Sequence, residues 1–281
     1  MRLPDIEEDF MNWLIFDVET TGFNFKKDFV ISIGAVMWDD QNGDTSEFYE
    51  LLNWTLVPGV KFAIPEESQK VHGITLEMLQ TGPNSYHPAK VIAHMHSWIK
   101  AFMDGREDRG VHCLSAFNSS FDINMMRSNL QWMCNRYVPE GVPGGGYVEG
   151  EVELSTMEID QINHVLKTFT KSKHVLFIDS LTVDRIFHFE EDGIKVKHNL
   201  EDVGLRYGLD VNMHAHNAMY DTRRLADILK KQMEELRERN IALDQAFEER
   251  LVRKWQREKD KWRKKNETED YYGLEMGPLE V

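Results

Sequence analysis

An apolar run, Trp13-Leu14-Ile15-Phe16, leads into Asp17-Val18-Glu19-Thr20-Thr21-Gly22, so two carboxylates close what reads as a β-strand. Side chains on a strand alternate with a period of two, which puts Asp17 and Glu19 on one face. Two like charges side by side on a buried face are costly unless a cation lies between them. A hard divalent metal is the natural partner, because carboxylate oxygens are its preferred ligands. The chain must therefore fold so that further acids, and a group able to activate water, meet this strand.

The following segments supply a sheet and its cover. Trp13–Val18, Phe29–Trp38 and roughly Glu47–Val57 read as strands joined by the turn formers Gly22-Phe23-Asn24 and Asp39-Asp40-Gln41-Asn42-Gly43, an antiparallel meander. Pro88–Met103 has helical periodicity, with Val91, Ile92, Met95, Trp98, Ile99 and Phe102 on one face. Cys113–Phe117 is a short buried strand, followed by a helix over Ser119–Met133 with Ser119 or Ser120 as its N-cap. Pro139, Pro143 and Gly144-Gly145-Gly146 then mark an irregular insertion over about 138–173, holding a short helix near Met157–Phe169. The glycine run lacks the Lys-Ser/Thr of a phosphate loop. Val175–Ile178 resumes as a strand, Ser180–Phe187 and Leu200–Tyr207 as helices, and the last core helix begins near Ala218. Strands first, then alternating helices and strands, predict an α/β fold with a mixed sheet covered by helices. The expected organisation is a solvated arm over 1–11, one domain over 12–230 and a charged helical extension over 231–281.

Composition narrows the setting. With 41% hydrophobic residues in 281, the chain can build a substantial core. Two cysteines, Cys113 and Cys134, read as buried apolar fillers, and with no secretory leader they point to a cytoplasmic location. No apolar run approaches membrane-spanning length. The net charge of −15 argues against a broad nucleic-acid-coating surface, although not against local contacts. Charge is also unevenly spread: Arg250–Lys265 holds nine Lys or Arg against Glu258 and Asp260, a local +7 that leaves −22 elsewhere. Leu236, Leu243, Phe247, Leu251, Trp255 and Trp262 form an apolar stripe along this extension, suited to packing back on the domain, docking a partner or touching single strands.

Two further places supply the acids. Phe117-Asn118-Ser119-Ser120-Phe121-Asp122 puts Asp122 in the opening turn of a helix that follows a buried strand. His216-Asn217-Ala218-Met219-Tyr220-Asp221 begins the final core helix, with Asp221 in its first turns and His216 on the loop before it. These motifs resemble the DEDD superfamily of 3′→5′ exonucleases, which includes the proofreading subunits and domains of DNA polymerases. Asp17 and Glu19 match its Asp-x-Glu motif, and Asn118 through Asp122 match Asn-x-x-Phe-Asp. His216, Ala218 and Asp221 match His-x-Ala-x-x-Asp, the histidine (DEDDh, DnaQ-like) branch; the tyrosine branch would have Tyr where Asn217 stands. Val71-His72-Gly73-Ile74-Thr75 also resembles a segment of that branch, and the likeness runs from about Asn12 to Lys230. Phe117 departs from it, standing where relatives often have histidine.

The resemblance implies an RNase H-like fold and an enzyme that releases nucleoside 5′-monophosphates from a 3′ end. Asp17, Glu19, Asp122 and Asp221 would hold two Mg²⁺ or Mn²⁺ ions, and His216, with an unperturbed pKa of about 6.5, would take the proton from the attacking water. Thr20, Thr21, His72 and Asn118 are the implied substrate contacts. The expected substrate is single-stranded DNA or a frayed 3′ end, in proofreading or end-trimming, with a polymerase or a second copy as partner through the extension. RNA trimming on the same fold is the alternative, since the motifs would look identical and the distinction lies in contacts to the 2′-OH. A non-catalytic replication-associated binding module is the alternative of a different class. Asp179, Asp184 and Asp202 read as helix caps or solvated charges, and His214 as a loop residue with the wrong spacing to Asp221.

Overall fold

The structure, a computed structural model, describes residues 11–105, 111–137, 147–149, 152–170, 175–188, 190–191, 194–195, 197–210, 217–239, 241 and 257. Residues 1–10 of the predicted N-terminal arm, the glycine run, His214, His216 and nearly all of the extension past Arg239 lie outside the described residues, while Met11 is buried rather than solvated.

Strands β1 (Asn12–Thr20), β2 (Val30–Asp39) and β3 (Thr45–Leu52) form the predicted antiparallel meander, with Asp17 opposite Gly34 and Glu19 opposite Ser32. The third strand stops at Leu52 rather than Val57. Asn53 accepts the Thr55 N–H on its side chain and starts a 3₁₀ turn over Trp54–Leu56, and the Trp54 indole donates to the Val30 carbonyl at 2.7 Å. Two short helices, α1 (Glu66–His72) and α2 (Leu76–Thr81), follow. The Val71–Thr75 segment is their junction: Gly73 ends α1 at φ 71°, a left-handed value that suits glycine, and Thr75 caps α2. Next come β4 (Ser85–Tyr86), α3 (Pro88–Met103, the predicted span), β5 (Cys113–Ala116) and α4 (Ser119–Tyr137). After them are β6 (Tyr147–Glu149), β7 (Val152–Leu154), α5 (Thr156–Phe169), β8 (Leu176–Asp179) and α6 (Ser180–Phe187). The hairpin β9 (Glu190–Glu191) and β10 (Ile194–Lys195) leads to α7 (Leu200–Arg206) and α8 (Ala218–Glu238).

Six strands make one mixed sheet in the order β4-β3-β2-β1-β5-β8, with β5 parallel to β1 and β8 parallel to β5. The pleat of β1 sorts its side chains into two cores. Leu14, Phe16 and Val18 share one with residues of α3, α4 and α5; Trp13 and Ile15 share the other with residues of α6 and α8. Asp17 and Glu19 continue the second row, so they point toward the α8 side of the sheet. β1 lies in the middle of the sheet, so its acidic end is reached from both layers.

One sequence expectation needs correction. Leu154, Ile159, Ile162, Val165 and Phe169 are buried in the main core, and the Phe169 ring meets Phe16 edge-on with centroids 5.0 Å apart. The later part of the predicted insertion is therefore core structure, started by a capping box between Ser155 and Glu158. The change of composition at Lys231 falls inside α8, which continues to Glu238 and buries Met233 and Leu236. Among the described residues no helix is long and apolar enough to cross a membrane. Cys113 and Cys134 are both buried and free.

Candidate active site

The site begins at the C-terminal end of β1. Its register with β2 shifts between Glu19 and Thr20, a bulge that re-aims the strand where the acids are. Gly34, opposite Asp17, leaves room for the start of α8: a Cβ there would lie 2.6 Å from the Met219 amide nitrogen and closer still to the Ala218 carbonyl. Thr222 donates its hydroxyl to the Gly34 carbonyl at 2.9 Å, and Asn217 caps the helix by accepting the Met219 and Tyr220 N–H groups. This contact delivers Asp221, in the first turn of α8, onto the acidic end of β1. Asp17, Glu19 and Asp221 each offer an oxygen, and the three oxygens lie within 4.8 Å of one another.

Asp122 arrives from the next strand. After β5 the chain turns through Asn118 at φ 59°, a left-handed conformation that asparagine tolerates better than most residues. The turn starts α4 at Ser119, whose N–H donates to Asp179 at 3.2 Å, so Ser119 is the first residue of the helix and not its cap. Asp122 is 3% exposed and accepts the Val18 N–H at 3.4 Å, between the two acids of β1. It stands beside the three converging carboxylates rather than among them.

No Lys or Arg among the described residues forms an ion pair with Asp17, Glu19 or Asp122, and the proton equilibria reflect this. Burial raises the Asp17 carboxyl well above the usual range, with further repulsion from Asp122, Glu19 and Asp221. Burial, then Asp221, raises Glu19 from 4.5 to about 8. Burial also raises Asp122; the Val18 N–H opposes this, and the charges of Asp179 and Glu19 add to it. Such a set binds either protons or a cation, and its hard oxygens suit Mg²⁺ or Mn²⁺.

The sign of the pH response follows. Carboxyls raised in the folded state keep protons that the unfolded chain has lost, so metal-free stability falls as pH rises from about 4 through 8. Cation binding should accordingly strengthen from pH 6 to pH 8 and release protons. Calorimetric Mn²⁺ titrations in two buffers of different ionisation enthalpy would measure both, and affinity that falls with pH would contradict it.

Of the residues implied as substrate contacts, Thr20, Thr21 and His72 also make hydrogen bonds within the chain. Thr20 donates its hydroxyl to the Gly22 carbonyl at 2.7 Å. The Thr21 hydroxyl accepts the Phe29 N–H at 2.9 Å and donates to Asp28, and Ser68 donates to the Thr21 carbonyl. His72 is buried and accepts the Ile74 N–H on Nδ1 at 3.0 Å. These side chains fasten the loop after β1 and the α1–α2 junction. The sequence reading missed what that loop presents: Phe23 is 87% exposed, with its ring centroid 5.8 Å from that of Phe121. An aromatic directly after Thr-Thr-Gly was the available signal. Asp179 caps α6 through the Leu181 N–H and the Thr182 hydroxyl, and Asp184 is buried against Arg206 and His198, tying α6 to α7.

Residues 14–229 match a protein family described as exonuclease, RNase_T, a span that opens in β1 and closes in α8. The PolC-type DNA polymerase III of Clostridium perfringens (strain 13 / Type A) is 26% identical over 201 residues, covering 70% of this chain. The chain spans only 12% of that polymerase. Among solved structures, the nuclease domain of 3′hExo, a DEDDh family member bound to rAMP, shares 14% identity with a TM-score of 0.55, covering 80% of this chain and 93% of that one. The zinc-bound complex of E. coli ExoI with single-stranded DNA shares 18% identity at a TM-score of 0.52, covering 81% of this chain and 42% of that one. At these identities the structural likeness is one of fold, an RNase H-like sheet flanked by helices. With the family match running through the three elements that carry Asp17, Asp122 and Asp221, the chain belongs to the RNase_T exonuclease family.

Proposed function

We propose that this chain is a divalent-metal-dependent 3′→5′ exonuclease that shortens single-stranded DNA ends and releases nucleoside 5′-monophosphates. The observation that carries the reading is the convergence of Asp17, Glu19 and Asp221, with Asp122 beside them, and no Lys or Arg among the described residues paired with Asp17, Glu19 or Asp122. In this reading the four carboxylates would hold two Mg²⁺ or Mn²⁺ ions, which would supply Lewis acidity and lower the pKa of water. His216, next in sequence to the capping residue of α8, accepts the proton of the attacking water. Asp122 is held at β1 by the Val18 N–H, and Asp221 by the packing of α8 on Gly34. A non-catalytic binding module would have no use for Asp17, Glu19 and Asp122 brought together with Asp221 when no Lys or Arg among the described residues pairs with the first three.

DNA is favoured by the polymerase relative and by the single-stranded DNA complex of the E. coli structure. RNA is the second reading, favoured by the rAMP-bound nuclease domain and by a similar 3′-exonuclease described as recognising a histone mRNA stem-loop. Release of nucleotides from end-labelled single-stranded DNA and RNA with Mg²⁺ separates the two. No release from either, by folded protein with metal present, would sink the reading. A polymerase on another chain, or a second copy, is the proposed partner of the 231–281 extension.

Phe23 offers a face on which a terminal base can stack, and such contacts are worth about 1–3 kcal/mol. Phe23→Ala should therefore raise KM for a short oligonucleotide about tenfold while kcat stays near that of the parent. An unchanged KM in steady-state assays would remove Phe23 from the substrate path.

A further inference from the structure

Asp179 ends β8, where it lies opposite Ala116 of the parallel strand β5. Both strands then feed helices, α4 from β5 and α6 from β8. One carboxylate serves both helix starts. It accepts the Leu181 N–H at 3.2 Å and the Thr182 hydroxyl at 2.7 Å in α6, and the Ser119 N–H at 3.2 Å in α4. The α6 bonds are ordinary capping within one turn. The α4 bond is not local: its acceptor lies 60 residues further along the chain. The turn before α4 runs through the left-handed Asn118, and the Asp179 carboxylate ties down the first helical amide after it. Three residues later Asp122 reaches back to the Val18 N–H, so a shift of Ser119 carries Asp122 with it. The two carboxyls are near enough that the Asp179 charge helps to raise Asp122.

We propose that Asp179 is a positioning residue of the exonuclease site, holding the first turn of α4 through the Ser119 N–H so that Asp122 faces the acids of β1. The proposal rests on the exonuclease reading above. It differs from a plain helix cap in that the purpose of the carboxylate lies in α4, not in the helix it begins.

Asp179→Ser separates the roles, because serine is a good N-cap for α6 but one atom shorter, and loses the reach to Ser119. Asp179→Asn keeps a carboxamide oxygen of the same reach. Outer partners of a metal site typically contribute about 10–100-fold in metal affinity or activity. Asp179→Ser should thus weaken Mn²⁺ binding, measured calorimetrically, by about tenfold or more and lower kcat on single-stranded DNA similarly, with KM for the oligonucleotide unchanged. Asp179→Asn should restore both. Wild-type affinity and kcat in a folded Asp179→Ser chain would overturn the proposal, as would an Asp179→Asn chain that falls equally far. In the wild-type chain the Ser119 amide must also be protected from hydrogen exchange, and free exchange there overturns the proposal without any variant. If the wild-type chain binds no Mn²⁺, or binds it equally well as Asp17→Ala, the exonuclease reading itself fails. Wild-type binding that is lost in Asp17→Ala but unaffected in Asp179→Ser removes only the positioning role.

Discussion

Asp17→Asn is expected to lose hydrolysis by more than about a hundredfold and yet to unfold at a higher temperature than the parent in metal-free buffer at pH 8. Both effects come from one property. The Asp17 carboxyl is raised by burial and by Asp122, Glu19 and Asp221, so the folded protein holds this group unwillingly as an anion. Asparagine keeps its shape and removes the charge. A carboxyl raised on folding leaves stability unaffected below its unfolded pKa and subtracts from it as pH climbs toward the folded value. The gain from Asp17→Asn should therefore be absent near pH 4 and grow toward pH 8. A pKa unit corresponds to about 1.4 kcal/mol, and each kcal/mol moves the midpoint of a domain of this size by about 2–4 °C. Mg²⁺ or Mn²⁺ should raise the melting temperature of the parent and leave that of the variant nearly unchanged. Thermal melts with chelator and with metal, at two pH values, measure all of this. A variant less stable than the parent at pH 8, or one that still hydrolyses, would mean that the four acids are not a cation site.

The acidic end of β1 was legible because a short apolar run ending in two spaced carboxylates allows one arrangement, a strand with both acids on one face. Asp122 and Asp221 were legible as residues of opening helical turns, although the turn into α4 is made by Asn118 rather than capped by Ser119 or Ser120, and α8 is capped by Asn217. What escaped the sequence is non-local. A glycine within a strand announces a close approach but not its partner, so Gly34 gave no hint of Ala218, more than 180 residues away. The hydroxyls of Thr20 and Thr21 bond within their own loop, contacts that no local pattern announced. The core role of α5 was hidden because the prolines and glycines before it made the helix near Met157–Phe169 read as part of an irregular insertion, although Ile159, Ile162, Val165 and Phe169 carry a helical spacing that buries them. The length of α8 past Lys231 was hidden because its exposed face dominates the composition while Met233 and Leu236 stay beneath it.

Gly34→Ala tests whether that non-local contact makes the site. The added methyl would fall inside the Ala218 carbonyl and 2.6 Å from the Met219 amide nitrogen, both backbone, so no rotamer change can relieve the clash. Either β2 or the start of α8 must move. β2 is paired on both edges, with β1 and β3, so the helix start is the softer of the two. Its displacement stretches the Thr222 hydrogen bond to the Gly34 carbonyl and draws Asp221 away from Asp17 and Glu19. Overpacking of this kind costs about 1–3 kcal/mol. The larger effect should be on chemistry: with a carboxylate displaced, Mn²⁺ affinity and hydrolysis should each fall by about tenfold or more, out of proportion to the loss of stability. Gly43→Ala is the matched control. Gly43 sits in the β2–β3 turn at φ 75° with nothing within 4 Å of an added Cβ, so alanine there strains the backbone without touching the site. It should lower the melting temperature and leave both Mn²⁺ affinity and hydrolysis as they are. If Gly34→Ala instead behaves like Gly43→Ala, losing stability alone, then Asp221 reaches its neighbours without the approach of α8 to β2, and Gly34 is a packing residue only.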